Sequence, residues 1–309
     1  MAGAYARHVS SEPIADLARS LGDFAAGLRN LLQVNKRAAP GSPADKEADG
    51  EPYAGEWGAN PSRDSFAPAL LTSLSAADHL ATAADAIRAR RIIASPFTLI
   101  RAAAEAAGTA CYMTEFGITP LERIRRSMNW RLDGMCQKIT MIRDFSIPEA
   151  AAEVAHMNAR IAAIGRSGEA HDLTFKKADT YKSARLGDAP PTAMKLMDQC
   201  ASRTPQLGAT YQRLLSSVAH AKAHGLTMFL MNGIAADSDQ PGQVLAPVNI
   251  SAGDLARHLL VGPLCASTLV EHLGWFAGWD TDDISPLVIR MLHAWGRVAG
   301  VPYPGPERR

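Results

Sequence analysis

Aromatic residues are scarce in this chain of 309 residues, at 6%. Their scarcity, beside abundant Ala, argues against a sheet core, because Ala costs least in a helix and packs poorly on a pleated surface. Net charge is nearly absent. The 32 Lys and Arg against 31 Asp and Glu leave +1, so no global field draws in nucleic acid or an anionic membrane, and only a local patch has that capacity. No apolar run reaches the ~18 residues of a spanning helix. The first residues also lack the apolar stretch of a signal peptide, so no membrane partner is expected and the expected compartment is the cytoplasm. No Cys-x-x-Cys pair occurs. Cys111, Cys136, Cys200 and Cys265 are scattered through apolar helical contexts, which reads as reduced, buried thiols rather than a disulfide frame or a zinc site. Neither a Gly-x-x-x-x-Gly-Lys-Ser/Thr loop nor a Gly-x-Gly-x-x-Gly turn after a strand is present, so nucleotide cofactors held in those ways are not expected. No cofactor is expected at all.

What is present is helical periodicity. Ile14, Leu17, Leu21, Phe24, Leu28, Leu31 and Leu32 recur at three- and four-residue spacing and predict an amphipathic helix within residues 1–35. Residues 36–66, with Pro40, Pro43, Pro52 and Pro61, read as a flexible linker or loop. That leaves the first helix either an appendage or a face for a partner chain. Residues 67–300 carry repeated helix-start signals: Ser95-Pro96, Thr119-Pro120-Leu121-Glu122, and Ser146-Ile147-Pro148-Glu149. Further helices are predicted over 192–202, 206–233, 251–275 with a kink at Gly262-Pro263, and 285–299. Residues 169–191 lack a period and predict a loop. Residues 235–250 predict an irregular connection with room for a short strand at 243–248, and 301–309 is a tail. The fold class is all-α, an irregular multi-helix bundle of eight or nine helices.

Chemistry has few places to reside. Arg101 and Glu105 stand four apart on a helix of Ala, Ile and Leu, a setting in which two ionisable groups need partners. They form either a structural ion pair or one wall of a polar pocket. Downstream, Tyr211 precedes Arg213, Ser216, Ser217 and His220, whose offsets of three, four and seven place them on one helical stripe. An arginine fork suits phosphate, and a histidine moves protons near neutral pH. Together they suit cleavage of a phosphodiester by attack of the ribose 2′-hydroxyl. The plainer reading has His220 inside the core, bonded to a carbonyl or to Glu105. His220 and His224 have metal-ligand spacing without the internal Glu of a zinc helix, and Glu153 with His156 has Glu-x-x-His spacing without a second copy. No metal site is therefore expected. The basic clusters Arg88–Arg91, Arg123–Arg126 with Arg131, and Lys176-Lys177 read as solvated faces or as a row of phosphate contacts.

Residues 95–105, 119–126 and 211–220, in that order, resemble a group of actinobacterial all-helical proteins. The Arg-x-x-x-Glu helix followed by a Ser-x-x-Val-x-His-type helix is similar to proteins allied to the HEPN (higher eukaryotes and prokaryotes nucleotide-binding) superfamily. The resemblance spans roughly residues 67–299. It implies a helical bundle, often a homodimer, acting on RNA without metal through an Arg and a His with four to six residues between them, here Arg213 and His220 with six. Active members usually carry a polar residue after the Arg, and this chain has Leu214. The reading ranked first is therefore a non-catalytic HEPN-like binding or regulatory module, with Arg101, Glu105 and His220 as a buried polar network, contacted by Tyr211, Ser216 and Ser217 and serving a protein partner. The alternative is a metal-independent ribonuclease that uses Arg213 and His220 on RNA.

Overall fold

The computed structural model describes residues 11–301 except 50–51, 56, 93, 146–149, 180–181, 202–206 and 227–249. Thirteen helical segments run through the described residues: α1 Ser11–Val34, α2 Pro43–Ala48, α3 Pro61–Asp64, α4 Ala67–Arg88, α5 Ser95–Met113, α6 Pro120–Asp144, α7 Ala151–Ala170, α8 Ala193–Cys200, α9 Leu207–Ala219, α10 Ala223–Leu226, α11 Ala252–Leu259, α12 Val261–Ala277 and α13 Ser285–Ala299. The expected count of eight or nine falls short for three physical reasons. Pro43 and Pro61 open short helices inside the supposed linker, at the first helical turn where a missing N–H loses nothing. Pro263 likewise lies in the first turn of α12, so the chain breaks at Leu260 and not at the expected kink. The helix expected over 206–233 ends at Ala219, and Ala221 adopts positive φ before α10. Its last part, 227–233, the capping signal at 146–149, the strand expected at 243–248 and the tail from 302 lie outside the described residues.

The stripe on α1 is the starting point of the main core. Leu17, Leu21, Phe24 and Leu28 are fully buried, packed in one cluster with residues of α4, α5, α8, α9, α11, α12 and α13. The first helix is thus a wall of the bundle rather than an appendage. Trp295 in α13, itself fully buried, donates its Nε1–H to the Leu17 carbonyl at 3.3 Å. Ala-rich α4 and α5 pack closely because their facing side chains are small, Ala76, Ala77, Ala83 and Ala84 meeting Ala103, Ala104 and Ala107 in the same core. At Gly108 the approach is tighter still. A Cβ there would stand 3.1 Å from the Leu196 backbone, so α8 crosses α5 against bare main chain. Three thiols gather at that crossing. Cys111, Cys200 and Cys265 are free and buried, with Cys200 Sγ 3.3 Å from Cys111 Sγ. That contact and burial hold the Cys200 thiol well above its ordinary pKa. No single helix among the described residues is long and apolar enough to cross a membrane.

A second, smaller core lies beside the first. Ile124, Met128 and Leu132 of α6 meet Ile164 of α7, Trp57 and Leu186. The segment expected to be an unstructured loop contributes a two-stranded antiparallel hairpin, β1 Phe175–Lys176 and β2 Arg185–Leu186, with Phe175 opposite Leu186. The hairpin sits on glycine: a Cβ at Gly168 would fall 2.3 Å from Leu186 Cδ2. Residues 36–66, expected to be a flexible linker, are tied to this subdomain. Trp57 donates its Nε1–H to the Ile164 carbonyl at 3.2 Å and stacks on His171 at 4.8 Å. α6 begins where the sequence predicts, with Thr119 Oγ1 accepting from the Glu122 N–H at 3.2 Å. α5 differs: the cap position is Ala94, and Ser95 is already helical, so its hydroxyl caps nothing.

Candidate functional site

Two polar constellations stand out, and only the first was legible as a site in the sequence. Arg101 Nε donates to Glu105 Oε1 at 2.8 Å within α5, and Arg101 Nη1 lies 3.4 Å from His220 Nε2. Because a guanidinium only donates, Nε2 accepts, and the imidazole carries its proton on Nδ1. Three of the four residues expected to converge therefore do so, joining the end of α9 to α5. They are not deeply buried as expected. The Arg101 and Glu105 side chains keep 22% and 29% exposure, and His220 is exposed.

Arg213 stays outside this group. It is exposed and forms no hydrogen bond or ion pair with the described residues, while Ser217, four residues on, is buried with its hydroxyl donating to the Leu214 carbonyl at 2.7 Å. The expected single stripe is split, because Leu215, Ser217 and Val218 turn one side of α9 into the core and leave Arg213 in solvent. Ser216 contributes its carbonyl, which accepts from the His220 N–H at 3.0 Å. Tyr211 packs half-buried on the core, and burial raises its phenol pKa despite the opposing Arg257 charge. The His224 side chain lies outside the described residues. Glu153 is engaged by Lys138, and among the described residues no group of three or more His, Cys, Asp or Glu is placed to hold a metal ion.

The second constellation is the seam between the two cores, built by the arginines expected to form a solvated face or a row of phosphate contacts. α6 starts opposite the C-terminal end of α5, whose last carbonyls have no partner within their own helix. Arg123, only 1% exposed, donates Nη1–H to the Met113 carbonyl at 2.6 Å and Nη2–H to the Glu115 carbonyl at 3.3 Å. Its Nε–H and Nη2–H reach Glu47 at 2.9 and 3.3 Å, and its guanidinium lies 3.9 Å over the Phe276 ring. Arg126 donates to the Tyr112 carbonyl at 2.6 Å, to Glu122 at 2.7 Å and to Glu115, and covers the Tyr112 ring at 3.9 Å. Arg125 grips Glu122 in a fork, both bonds 2.6 Å, and donates to the Leu186 and Asp188 carbonyls at 3.1 and 3.2 Å. Asn129 finishes the seam like a strand edge: its side-chain oxygen accepts from the Leu186 N–H at 2.7 Å, and its amide donates to the Leu186 carbonyl at 3.0 Å. These arginines cap α5 and bind the hairpin, and phosphate would have to displace carboxylates to reach them.

The seam also gives a pH signature. Burial pulls the Glu122 carboxyl upward, but hydrogen bonds and charge from Arg125 and Arg126 together hold it below its ordinary 4.5. Its contribution to stability is thus fully present above pH 4.5 and is lost as pH falls through the depressed value. Nearby, His272 sits with Nδ1 3.2 Å from the Thr114 carbonyl, and burial lowers its pKa below 6.5 against the opposing pull of that carbonyl and Glu115. Folding thus resists charging this imidazole, so stability falls as pH drops below 6.5. The melting temperature is expected to be level just above neutrality and to decline on acidification in two stages, the first reduced by His272→Gln, with burial of His258 supplying the rest, and the second reduced by Glu122→Gln.

Above the seam lies a cavity of about 470 Å³, walled by Tyr112 and Met113 of α5, Trp130 of α6, Leu196 of α8 and Arg185 of β2. That volume is in the range of small-molecule sites, about 300–1,000 Å³. A larger groove of about 1000 Å³ runs between α2, α3 and α12, but Lys36, Arg37, Lys46 and Arg63 are interspersed there with Asp45, Asp49 and Asp64, and it offers no dominant charge. Compared with known proteins, the chain matches no family model, no curated protein and no solved structure.

Proposed function

We propose that this chain is a non-catalytic, HEPN-like helical binding module, in which Arg101, Glu105 and His220 lock α9 onto α5 and the seam between the two cores receives the ligand. The observation that supports this reading is the engagement of His220 Nε2 by Arg101 at 3.4 Å. A general base needs its unprotonated ring nitrogen within hydrogen-bond reach of the substrate hydroxyl. Here that nitrogen already accepts from a guanidinium that Glu105 anchors, so it is not free to take a substrate proton. Among the described residues Arg213 has no hydrogen-bond or ion-pair partner to aim it at a phosphate.

A metal-independent ribonuclease is the second reading. It is favoured by one observation, that Arg213 and His220 are both exposed and so accessible to RNA at a homodimer contact. Purified protein incubated with total RNA separates the two, using wild type, His220→Ala and Arg213→Ala. The module reading expects all three to leave RNA intact to the same background. Cleavage by wild type that both substitutions abolish would overturn it and establish the nuclease.

A further inference from the structure

We infer that the cavity above the seam binds a small organic monocarboxylate with an apolar body, held at its charged end by Arg185. The inference names a ligand class for the proposed module and rests on that reading. Most of the wall is carbon. Met113 and Leu196 are buried, the Tyr112 ring lines one side, and Trp130 stands exposed at the mouth. Such a wall disfavours a strongly hydrated dianion such as inorganic phosphate and favours an amphipathic ligand.

Arg185 supplies the specific end. Its Nε is buried and has no hydrogen-bond partner among the described residues, a costly state for a charged donor. The other arginines of the seam are committed. Arg125 and Arg126 are each paired with Glu122, and Arg123 with Glu47. The wall carries one carboxylate, Asp133, which accepts from Ser183 Oγ at 2.6 Å. Lys182 also lines the cavity, so with Arg126 paired to Glu122 the two remaining cations outnumber the one carboxylate. A guanidinium presents parallel N–H groups that match the two oxygens of a carboxylate. The support is rigid: Leu186, next in the chain, is bonded in both directions to Asn129, and its carbonyl also accepts from Arg125. The main chain that carries Arg185 is therefore fixed before the ligand arrives, which lowers the entropy lost on binding.

The test uses octanoate and its uncharged counterpart 1-octanol as probes, titrated into the full chain by calorimetry and by intrinsic tryptophan fluorescence. Wild type is expected to bind octanoate, to bind 1-octanol less well, and to report binding through Trp130. Arg185→Gln is expected to weaken octanoate about tenfold or more, the scale of a lost charge-assisted bond, and to leave 1-octanol unchanged. Leu196→Trp, which fills the cavity, should abolish both. Circular dichroism checks that each variant is folded. If Arg185→Gln is not, Arg185→Lys replaces it, keeping the charge but not the fork, and should still weaken octanoate. Absence of octanoate binding by wild type overturns the inference, as does equal octanoate affinity in wild type and the Arg185 variant. The module reading falls by a different assay, His220-dependent cleavage of RNA, so the two failures are told apart.

Discussion

A chain beginning at residue 36 is expected not to fold. The α1 stripe places Ile14, Leu17, Leu21, Phe24 and Leu28 at 0–2% exposure, with Leu31 and Leu32 at 7%. Burial of a large aliphatic or aromatic side chain contributes about 1.5–3 kcal/mol. The stripe therefore represents roughly 10–20 kcal/mol on an upper-bound reckoning, at least as large as the ~5–15 kcal/mol that holds a whole domain together. Deletion also uncovers the facing surfaces of α4 and α13 and leaves the Trp295 Nε1–H without the Leu17 carbonyl. Residues 36–309 should be recovered as aggregate, or as a species that binds hydrophobic dye and melts without a cooperative transition. A soluble fragment that unfolds cooperatively near the full-length temperature would show that α1 is an appendage after all.

The helical period made α1 legible, because it states which face is apolar. It does not state what covers that face, and the proline-rich stretch behind it suggested that nothing in the same chain did. That stretch was misread for a local reason. Pro43 and Pro61 look like breakers in sequence, yet each opens a helix. The tethers at Glu47 and Trp57 join residues 76 and 107 positions away. Three helix starts with their own side-chain caps were readable, at Thr119, Thr192 and Ser251, whereas Ser42, which caps α2 in the same way, was lost among the prolines. Those signals involve neighbours three residues apart, whereas the short hairpin 175–186 exists only because α6 and α7 offer it Asn129 and Gly168.

The candidate site divides in the same way. Arg101 and Glu105 form an i, i+4 pair and could be read directly, but the choice of His220 over Arg213 as their neighbour depends on how α9 rolls against the core. Helical spacing put Arg213, Ser216, Ser217 and His220 on one stripe, and the burial of Leu215 and Val218 decides which part of that stripe meets solvent. The run 123–126 looked solvated because dense charge usually is. The carbonyls at the end of α5 that draw it inward are invisible without the angle between α5 and α6. Arg185 gave no signal at all, since it lies in a segment without a period and acquires its meaning from a cavity formed by three helices.

Arg123→Met is expected to destabilise the protein by about 3–5 kcal/mol, the range for breaking a buried ion pair by removing one member. Methionine keeps much of the volume and the contact with Phe276, so packing is not the main loss. The loss comes from what Arg123 leaves behind: the Glu47 carboxylate at 16% exposure without its cation, and the Met113 and Glu115 carbonyls without their donor. A second substitution separates these contributions. Adding Glu47→Met removes the stranded carboxylate, so the double variant should be more stable than the sum of the two single losses implies, by about 2 kcal/mol. The carbonyls remain unpaired in both, and the double variant should therefore stay below wild type. Arg123→Lys restores a charge but reaches fewer acceptors, since an ammonium lacks the planar fork, and its loss should fall between wild type and Arg123→Met. Urea unfolding monitored by circular dichroism reads all four variants, provided the slope with denaturant is unchanged. A loss below roughly 1 kcal/mol for Arg123→Met, the scale of an exposed pair, would mean that the seam is held by its apolar contacts and that its arginines are incidental.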